Sequence, residues 1–179
     1  GRNLMFHPYA RTFGYFDAEL DGYRGPGNCI WSQEFYETDL SRGFVRGYTF
    51  EFARGQGPVM AAVQGMATGR LPWGQDHHRA YRELFCHRAG MVAICEDLPE
   101  EHNTVTLDPM LKDSSGIPAP RINYTLSENS RRMLHHACDR ATEILRAVGD
   151  HPRALHVLAM ARVSKGPDTD TVNDHGPLG

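Results

Sequence analysis

No stretch of this sequence approaches the roughly 20 consecutive apolar residues that a membrane-spanning helix needs. No run of Lys and Arg stands out either, and the net charge is −3. Phosphate backbones are gripped by clustered basic charge, so nucleic acid is not the expected partner. The chain opens Gly1-Arg2-Asn3-Leu4, with neither an initiator Met nor the apolar core of a secretory signal. Such a start reads as a fragment or a processed chain. Cysteine is sparse: Cys29, Cys86, Cys95 and Cys138 stand alone, and none forms a C-x-x-C pair. Scattered singles predict reduced, partly buried thiols in a cytoplasmic protein. The even count leaves a periplasmic disulfide as the alternative.

The motifs of metal and dinucleotide chemistry are missing as well. Ten histidines invite a metal, but no His-Glu-x-x-His or similar ligand spacing occurs. His77-His78 and His135-His136 are adjacent pairs. Neighbours on a helix point about 100° apart and do not readily share an ion, so no metal ligands are assigned and both pairs read as solvated surface. Cys86-His87 is adjacent too, which is poor geometry for a nucleophile and its base. A dinucleotide cradle needs G-x-G-x-x-G between a strand and a helix. Gly22 to Gly27 has neither the spacing nor the flanks, and Gly55-Gln56-Gly57 lacks the third glycine.

What is present is a globular composition, 40% hydrophobic and 23% charged, long enough for one domain with a core. Residues 12–17 read as a strand, Leu20 to Asn28 as a glycine-rich loop, Cys29 to Tyr36 as a second strand. Phe44 to Ala53 alternates, with Val45, Tyr48, Phe50 and Phe52 between polar residues, and reads as a third. Val59 to Ala67 and His77 to His87 have helical character, and Gly90 to Glu96 is a buried-strand run. Thr104 to Leu107 and Ile122 to Leu126 alternate on either side of a turn-rich stretch, a long-looped hairpin. Ser127 can cap an amphipathic helix from Glu128 to Val148, where Met133, Ala137, Ala141, Ile144, Leu145 and Val148 recur at three- and four-residue steps. Gly149 and Pro152 stop it. The class is α+β.

His156 differs from the other histidines. It sits at the edge of an apolar stretch, Ala154 to Val163, with Arg162 six residues on. A histidine beside a hydrophobic wall has its pKa lowered and can work as a base near neutral pH.

Several segments, in order, resemble the glucose–methanol–choline (GMC) oxidoreductases. Gly1-Arg2-Asn3-Leu4-Met5-Phe6-His7-Pro8 is similar to that family's G-x-N-L-x-x-H-P segment. Glu96-Asp97-Leu98-Pro99 followed by Asn103-Thr104-Val105-Thr106-Leu107 resembles its E-x-x-P…N-x-V-x-L strand, and Asp113 to Pro118 its D-x-x-G-x-P turn. His156 to Ser164 resembles H-x-x-G-T-x-R-M-G, with Ala159-Met160 and Val163-Ser164 in place of the Gly-Thr and Met-Gly pairs. Val172 to Gly176 resembles the segment that follows it.

The resemblance implies a mainly antiparallel sheet of about five to six strands with flanking helices. It implies a substrate-binding domain over residues 1–163 and, over 164–179, the start of a return toward an FAD domain. It implies oxidation of a small-molecule alcohol by hydride transfer to FAD, with His156 as catalytic base and Asn3 and His7 beside the cofactor. The customary second polar residue would fall beyond Gly179. Strands around Phe44 to Phe52 and Gly90 to Glu96 would form the substrate wall. The surface facing an FAD domain would be exposed and prone to self-association. The alternative is a truncated, catalytically inactive piece with a binding or interaction role.

Overall fold

The computed structural model describes residues 1–26 and 30–148, and the backbone of 155–157. Among the described residues seven strands and three α-helices follow one another: β1 (Tyr9–Tyr15), β2 (Trp31–Ser32), β3 (Tyr48–Ala53), α1 (Pro58–Ala67), α2 (His77–Leu84), β4 (Arg88–Cys95), β5 (Thr104–Lys112), β6 (Pro118–Asn123), α3 (Glu128–Val148) and β7 (Leu155–Val157). The fold is α+β, as the pattern predicts. Five strands form one antiparallel sheet in the order β2-β3-β4-β1-β7, and β5 and β6 form a separate two-stranded one.

The differences from sequence expectation are local. The second strand shrinks to Trp31–Ser32, because the chain turns at once: Tyr36 N–H donates to the Gln33 carbonyl at 3.0 Å. The third strand starts at Tyr48 instead of Phe44, because Gly43 (φ 79°) and Arg46 (φ 69°) take left-handed backbone that a strand excludes. Gly47 follows, where a Cβ would overlap the Phe35 and Tyr36 carbonyls, so only glycine lets the two segments meet. The second helix ends at Leu84, and Cys86 (φ 69°) redirects the chain into β4. The hairpin strands run further into the turn-rich stretch than alternation indicates, across a register shift between Leu107 and Lys112.

Helix α3 has the predicted bounds and is capped as predicted, with the Ser127 hydroxyl accepting from Ser130 N–H at 3.1 Å. Its buried stripe of Met133, Leu134, Ala137, Cys138, Ala141 and Leu145 packs on Ala10 of β1, Tyr48 and Phe50 of β3, and Met91, Ala93 and Cys95 of β4. At Gly14 a Cβ would lie 3.6 Å from that of Leu145, so helix and strand run close together there. The two buried thiols face this layer. Burial pushes Cys95 up to about 12, and pushes Cys138 up to about 11 against the opposing hydrogen bond of Thr12. Both are free, as is the half-buried Cys86, and all three stay protonated near neutral pH. Cys29 lies outside the described residues.

One buried carboxylate joins the sheet, the hairpin and α3. Asp97, 8% exposed, accepts from the Tyr124 hydroxyl at 2.6 Å, the Ser130 hydroxyl at 2.9 Å, Leu98 N–H at 3.0 Å and Phe6 N–H at 3.3 Å. Asn103 beside it is buried and mimics a strand partner: its side chain accepts from Thr125 N–H at 2.7 Å and donates to the Thr125 carbonyl at 3.2 Å. Its own carbonyl takes Leu4 N–H at 3.0 Å, which ties the N-terminal segment to the hairpin. No helix among the described residues is long and apolar enough to cross a membrane.

The Asp97→Ala variant leaves the Tyr124 and Ser130 hydroxyls without their acceptor. It is expected to lose roughly 2–4 kcal/mol, read as a lower urea midpoint, with a smaller loss for Asp97→Asn. A midpoint within error of the parent for Asp97→Ala would show that this carboxylate holds nothing together.

Stability should also fall at both ends of the pH scale. His136, hydrogen-bonded through Nδ1 to the Tyr48 hydroxyl at 2.8 Å, is held below its ordinary 6.5 by burial first and then by Arg140 and Arg42. The folded state therefore prefers the neutral ring. That contribution is complete above about pH 6.5 and is lost as pH falls below it. Tyr48 is raised above its ordinary 10.0 by burial, and Tyr124 by burial and then its bond to Asp97. Their contribution is complete below about pH 10 and is lost as pH rises past it. In urea unfolding across that range, His136→Gln should flatten the acid limb and Tyr48→Phe should lessen the alkaline one.

Candidate functional site: the sheet face opposite the long helix

Because side chains alternate along a strand, burying one face against α3 commits every second residue to the other. On β1 the second set is Tyr9, Arg11, Phe13 and Tyr15; on β4 it is Arg88, Gly90, Val92 and Ile94; on β3 it is Thr49, Glu51 and Ala53. Trp31 of β2, 58% exposed, pairs with Glu51 at one edge. The aromatic alternation of β3 faces the core, with Tyr48 and Phe50 both buried, so β3 brings polar residues to the open face.

The face is built around a close approach. At Gly90 a Cβ would stand 2.3 Å from Phe13 Cδ1 and 2.7 Å from the Thr12 carbonyl oxygen. The missing side chain lets the Phe13 ring lie flat across β4. The Arg88 guanidinium then rests over that ring, 3.5 Å from its centroid. Arg11 lies over Tyr9 at 5.5 Å and Arg70 over Tyr15 at 4.8 Å. Arg88 also donates to Gln64 of α1 at 3.2 Å, which closes one end of the face. Its pKa is held down by burial, with Arg70 and Arg11 adding to the effect and Tyr15 opposing it.

Two hollows lie at that end. One, about 20 Å³, is lined by Tyr23, Gly55, Gln56, Leu84, Phe85 and Arg88 among others, and is the size of a water molecule. The other, about 270 Å³ and open, is lined by Tyr15, Phe16, Asp17, Glu83 and His87. His87 is positioned by its Nδ1, 3.0 Å from the Phe16 carbonyl.

The sequence-derived site residues fall unevenly on this geometry. The backbone of His156 pairs opposite Thr12 in β7, at the sheet edge beside β1. Its side chain, and residues 158–179, lie outside the described residues. Asn3 and His7 are both exposed, and Asn3 takes left-handed backbone (φ 62°), which Asn tolerates better than most residues. His7 precedes Pro8, whose carbonyl takes Cys95 N–H at 2.8 Å, so it sits just before β1 beside the end of β4. The adjacent pair His135-His136 does not behave as surface throughout. His136 is half-buried among Phe35, Phe44 and Tyr48, and only His135 is exposed. Among the described residues no three His, Cys, Asp or Glu side chains gather where they could hold a metal ion. The arginine–aromatic pairing was not visible in the sequence, since Arg70 and Arg88 are far from β1 along the chain and only pairing and a helix turn bring them over it.

No family model matches the chain. It is similar to a 2-methyl-1,2-propanediol dehydrogenase from Mycolicibacterium austroafricanum, 36% identical over 168 residues that cover 87% of this chain. The chain spans about 30% of that protein's length. The likeness is thus to part of an alcohol-oxidising dehydrogenase.

Gly90→Ala should force Phe13 and β1 away from β4. A loss of roughly 1–3 kcal/mol is expected by calorimetry, with a changed near-ultraviolet aromatic spectrum. An unchanged melting temperature would mean that the ring does not need this glycine.

Proposed function

We propose that this chain is the substrate-binding part of an FAD-dependent alcohol oxidoreductase of the GMC type. The observation that carries the proposal is the likeness, along nearly all of the chain, to an alcohol dehydrogenase of which it spans only part. The ordered GMC-like segments from Gly1 to Gly176 support it, as does an antiparallel sheet with one face packed on helix α3 and the other free of it. In this proposal the free face is the wall against which the alcohol lies. A short diol or a similar small alcohol is the substrate class that the relative's name points to.

The described residues do not themselves fit an adenine dinucleotide. The strand–glycine turn–helix nearest to a cradle is β3, Gly55-Gln56-Gly57 and α1, and it differs from one in three ways. Its sheet is antiparallel, Pro58 removes a backbone donor at the first helical position, and the third glycine is absent. FAD would therefore be held mainly by other parts of a longer protein, with exposed Asn3 and His7 as contacts from this side. The family resemblance supports His156 as the base, and its backbone lies at the sheet edge, paired opposite Thr12. Exposed apolar side chains on the hairpin, Leu107, Met110, Leu111 and Ile117, would be covered in a longer protein and would favour self-association without one.

The test has two arms. The purified chain should show no stoichiometric flavin absorbance. A longer protein that carries this chain together with a flavin domain should have its bound flavin bleached anaerobically by a short vicinal diol, and His156→Ala should slow that bleaching far more than it weakens diol binding. Tight FAD binding by the chain alone, or a flavin that no short alcohol reduces, would overturn the proposal. An unchanged rate in His156→Ala would remove only the assignment of the base.

A further inference from the structure

We infer that residues 33–47, which join β2 to β3, form a strap that neutral His136 clasps onto α3 and that acidification releases.

The strap meets the helix at two places. Near its end, the Asn129 side chain holds Val45 by both backbone groups, accepting from its N–H at 2.8 Å and donating to its carbonyl at 3.0 Å. Two turns further along α3, the His136 ring lies against Phe35 and Phe44 of the strap, with centroids 5.6 and 5.4 Å away. Its Nδ1 meets the Tyr48 hydroxyl of β3 at 2.8 Å. Other bonds of the strap run within itself: Arg46 N–H donates to Thr38 Oγ1 at 3.0 Å, and the Arg42 guanidinium to the Glu37 carbonyl at 3.1 Å. At one end of the strap, β2 is held to β3 by only two residue pairs. Left-handed backbone at Gly43 and Arg46, on either side of Phe44 and Val45, marks where the chain bends. Little besides the two contacts with α3 therefore keeps the strap down.

One of those contacts depends on protonation. The charged or titratable groups that face His136 are Arg42 and Asp39 of the strap, Arg140, Asp139 and Glu143 of α3, and Tyr48 of β3. Arg42 is fixed there, because its guanidinium lies over the Phe35 ring at 5.3 Å and donates to the carbonyls of Phe35 and Glu37. Arg140 is held by Glu143 at 2.6 Å. A proton on His136 would sit near two anchored guanidiniums, with Asp139 and Glu143 offsetting part of the repulsion. Tyr48 carries a second cost. It is 1% exposed, and its hydroxyl bond among the described residues is to His136. Neutral imidazole can take the hydroxyl proton at Nδ1, but imidazolium has no lone pair there, so a buried O–H is left without its acceptor. Both costs fall away once the strap swings out, so the proton binds more tightly to the open form. The clasp is thus complete above the ordinary 6.5 of histidine and is lost as pH falls below it.

The strap leads directly from Trp31, which pairs with Glu51 on the edge of the free face. Its release would loosen that edge of the proposed substrate wall. Only this consequence rests on the function proposed above.

Amide hydrogen exchange of the full chain tests the clasp, measured from about pH 7.5 to about pH 5.5 and corrected for the pH dependence of intrinsic exchange. Protection of Val45 N–H, bonded to Asn129, and of Tyr48 N–H, bonded to the Phe35 carbonyl, should fall about threefold or more, while the β1–β4 ladder keeps its protection. The fall should track the titration of the His136 ring in NMR spectra. His136→Gln stays neutral and can still accept from Tyr48, so its strap protection should not change with pH. Tyr48→Phe removes the hydroxyl that protonation strands and should lessen the fall, which supplies a second check where the Gln variant does not fold. Constant protection of the strap in the parent, an equal loss along the β1–β4 ladder, or an undiminished fall in the variants would overturn the inference. The experiment uses neither alcohol nor flavin, so its failure leaves the proposed function untouched.

Discussion

Asp97 sits where three parts of the chain must agree. Its carboxylate gathers a backbone N–H from the N-terminal segment, a tyrosine hydroxyl from the end of the hairpin and a serine hydroxyl from the first turn of α3. A buried carboxylate is costly unless its lone pairs are used, and here four donors use them. The same need fixes the donors, since Tyr124 and Ser130 would be stranded without it. By contrast, every ion pair among the described residues joins side chains three or four apart in sequence, most of them well exposed. Such pairs trim local structure and contribute little to the joining of distant segments. Long-range cohesion comes from the packed layer under α3 and from this hydrogen-bonded node.

With α3 anchored at its first turn, its buried stripe can cover only one side of the β1–β3–β4 sheet. The other side inherits the alternate residues of each strand. That division gives the molecule its two chemistries: an apolar interior of Ala, Met, Phe and protonated Cys, and a free face of arginines, aromatic rings and a few polar groups. Gly90 links them, because the Phe13 ring can lie across β4 and support Arg88 only where no side chain intervenes. The proposed substrate wall is this free face.

How much of this was legible beforehand depends on the range of the interaction responsible. Helix α3 could be read to its bounds, because its apolar period, its Ser127 cap and its stops are local. The hairpin and the strand at Gly90 to Glu96 were legible from alternation and apolar runs. The local pattern extends the second strand and the start of the third beyond their observed bounds, because left-handed backbone at Gly43 and Arg46 and a turn at Gln33 to Tyr36 carry no strong mark in composition. An adjacent histidine pair looks polar, so the sequence places His136 at the surface; its burial depends on Phe35, Phe44 and Tyr48 arriving from elsewhere. Thr12, Asp97 and Asn103 likewise gave no sign of being buried, since each is polar and is satisfied by a distant partner.

By itself the sequence determined the class of the chain: α+β, with one long amphipathic helix, alternating strands, isolated thiols, no glycine cradle for a dinucleotide, and ordered segments that resemble a known oxidoreductase family. Those features are set by spacing along the chain, which is where helical and strand periodicity and turn chemistry are written. Only the tertiary structure decided which face of the sheet is buried, which polar residues become internal partners, and which arginines meet. Strand pairing brings Arg88 opposite Tyr15, and the turn after α1 brings Arg70 over it. Neither follows from local sequence, because a cation's neighbours in space are chosen by the register of the sheet and the course of the loops.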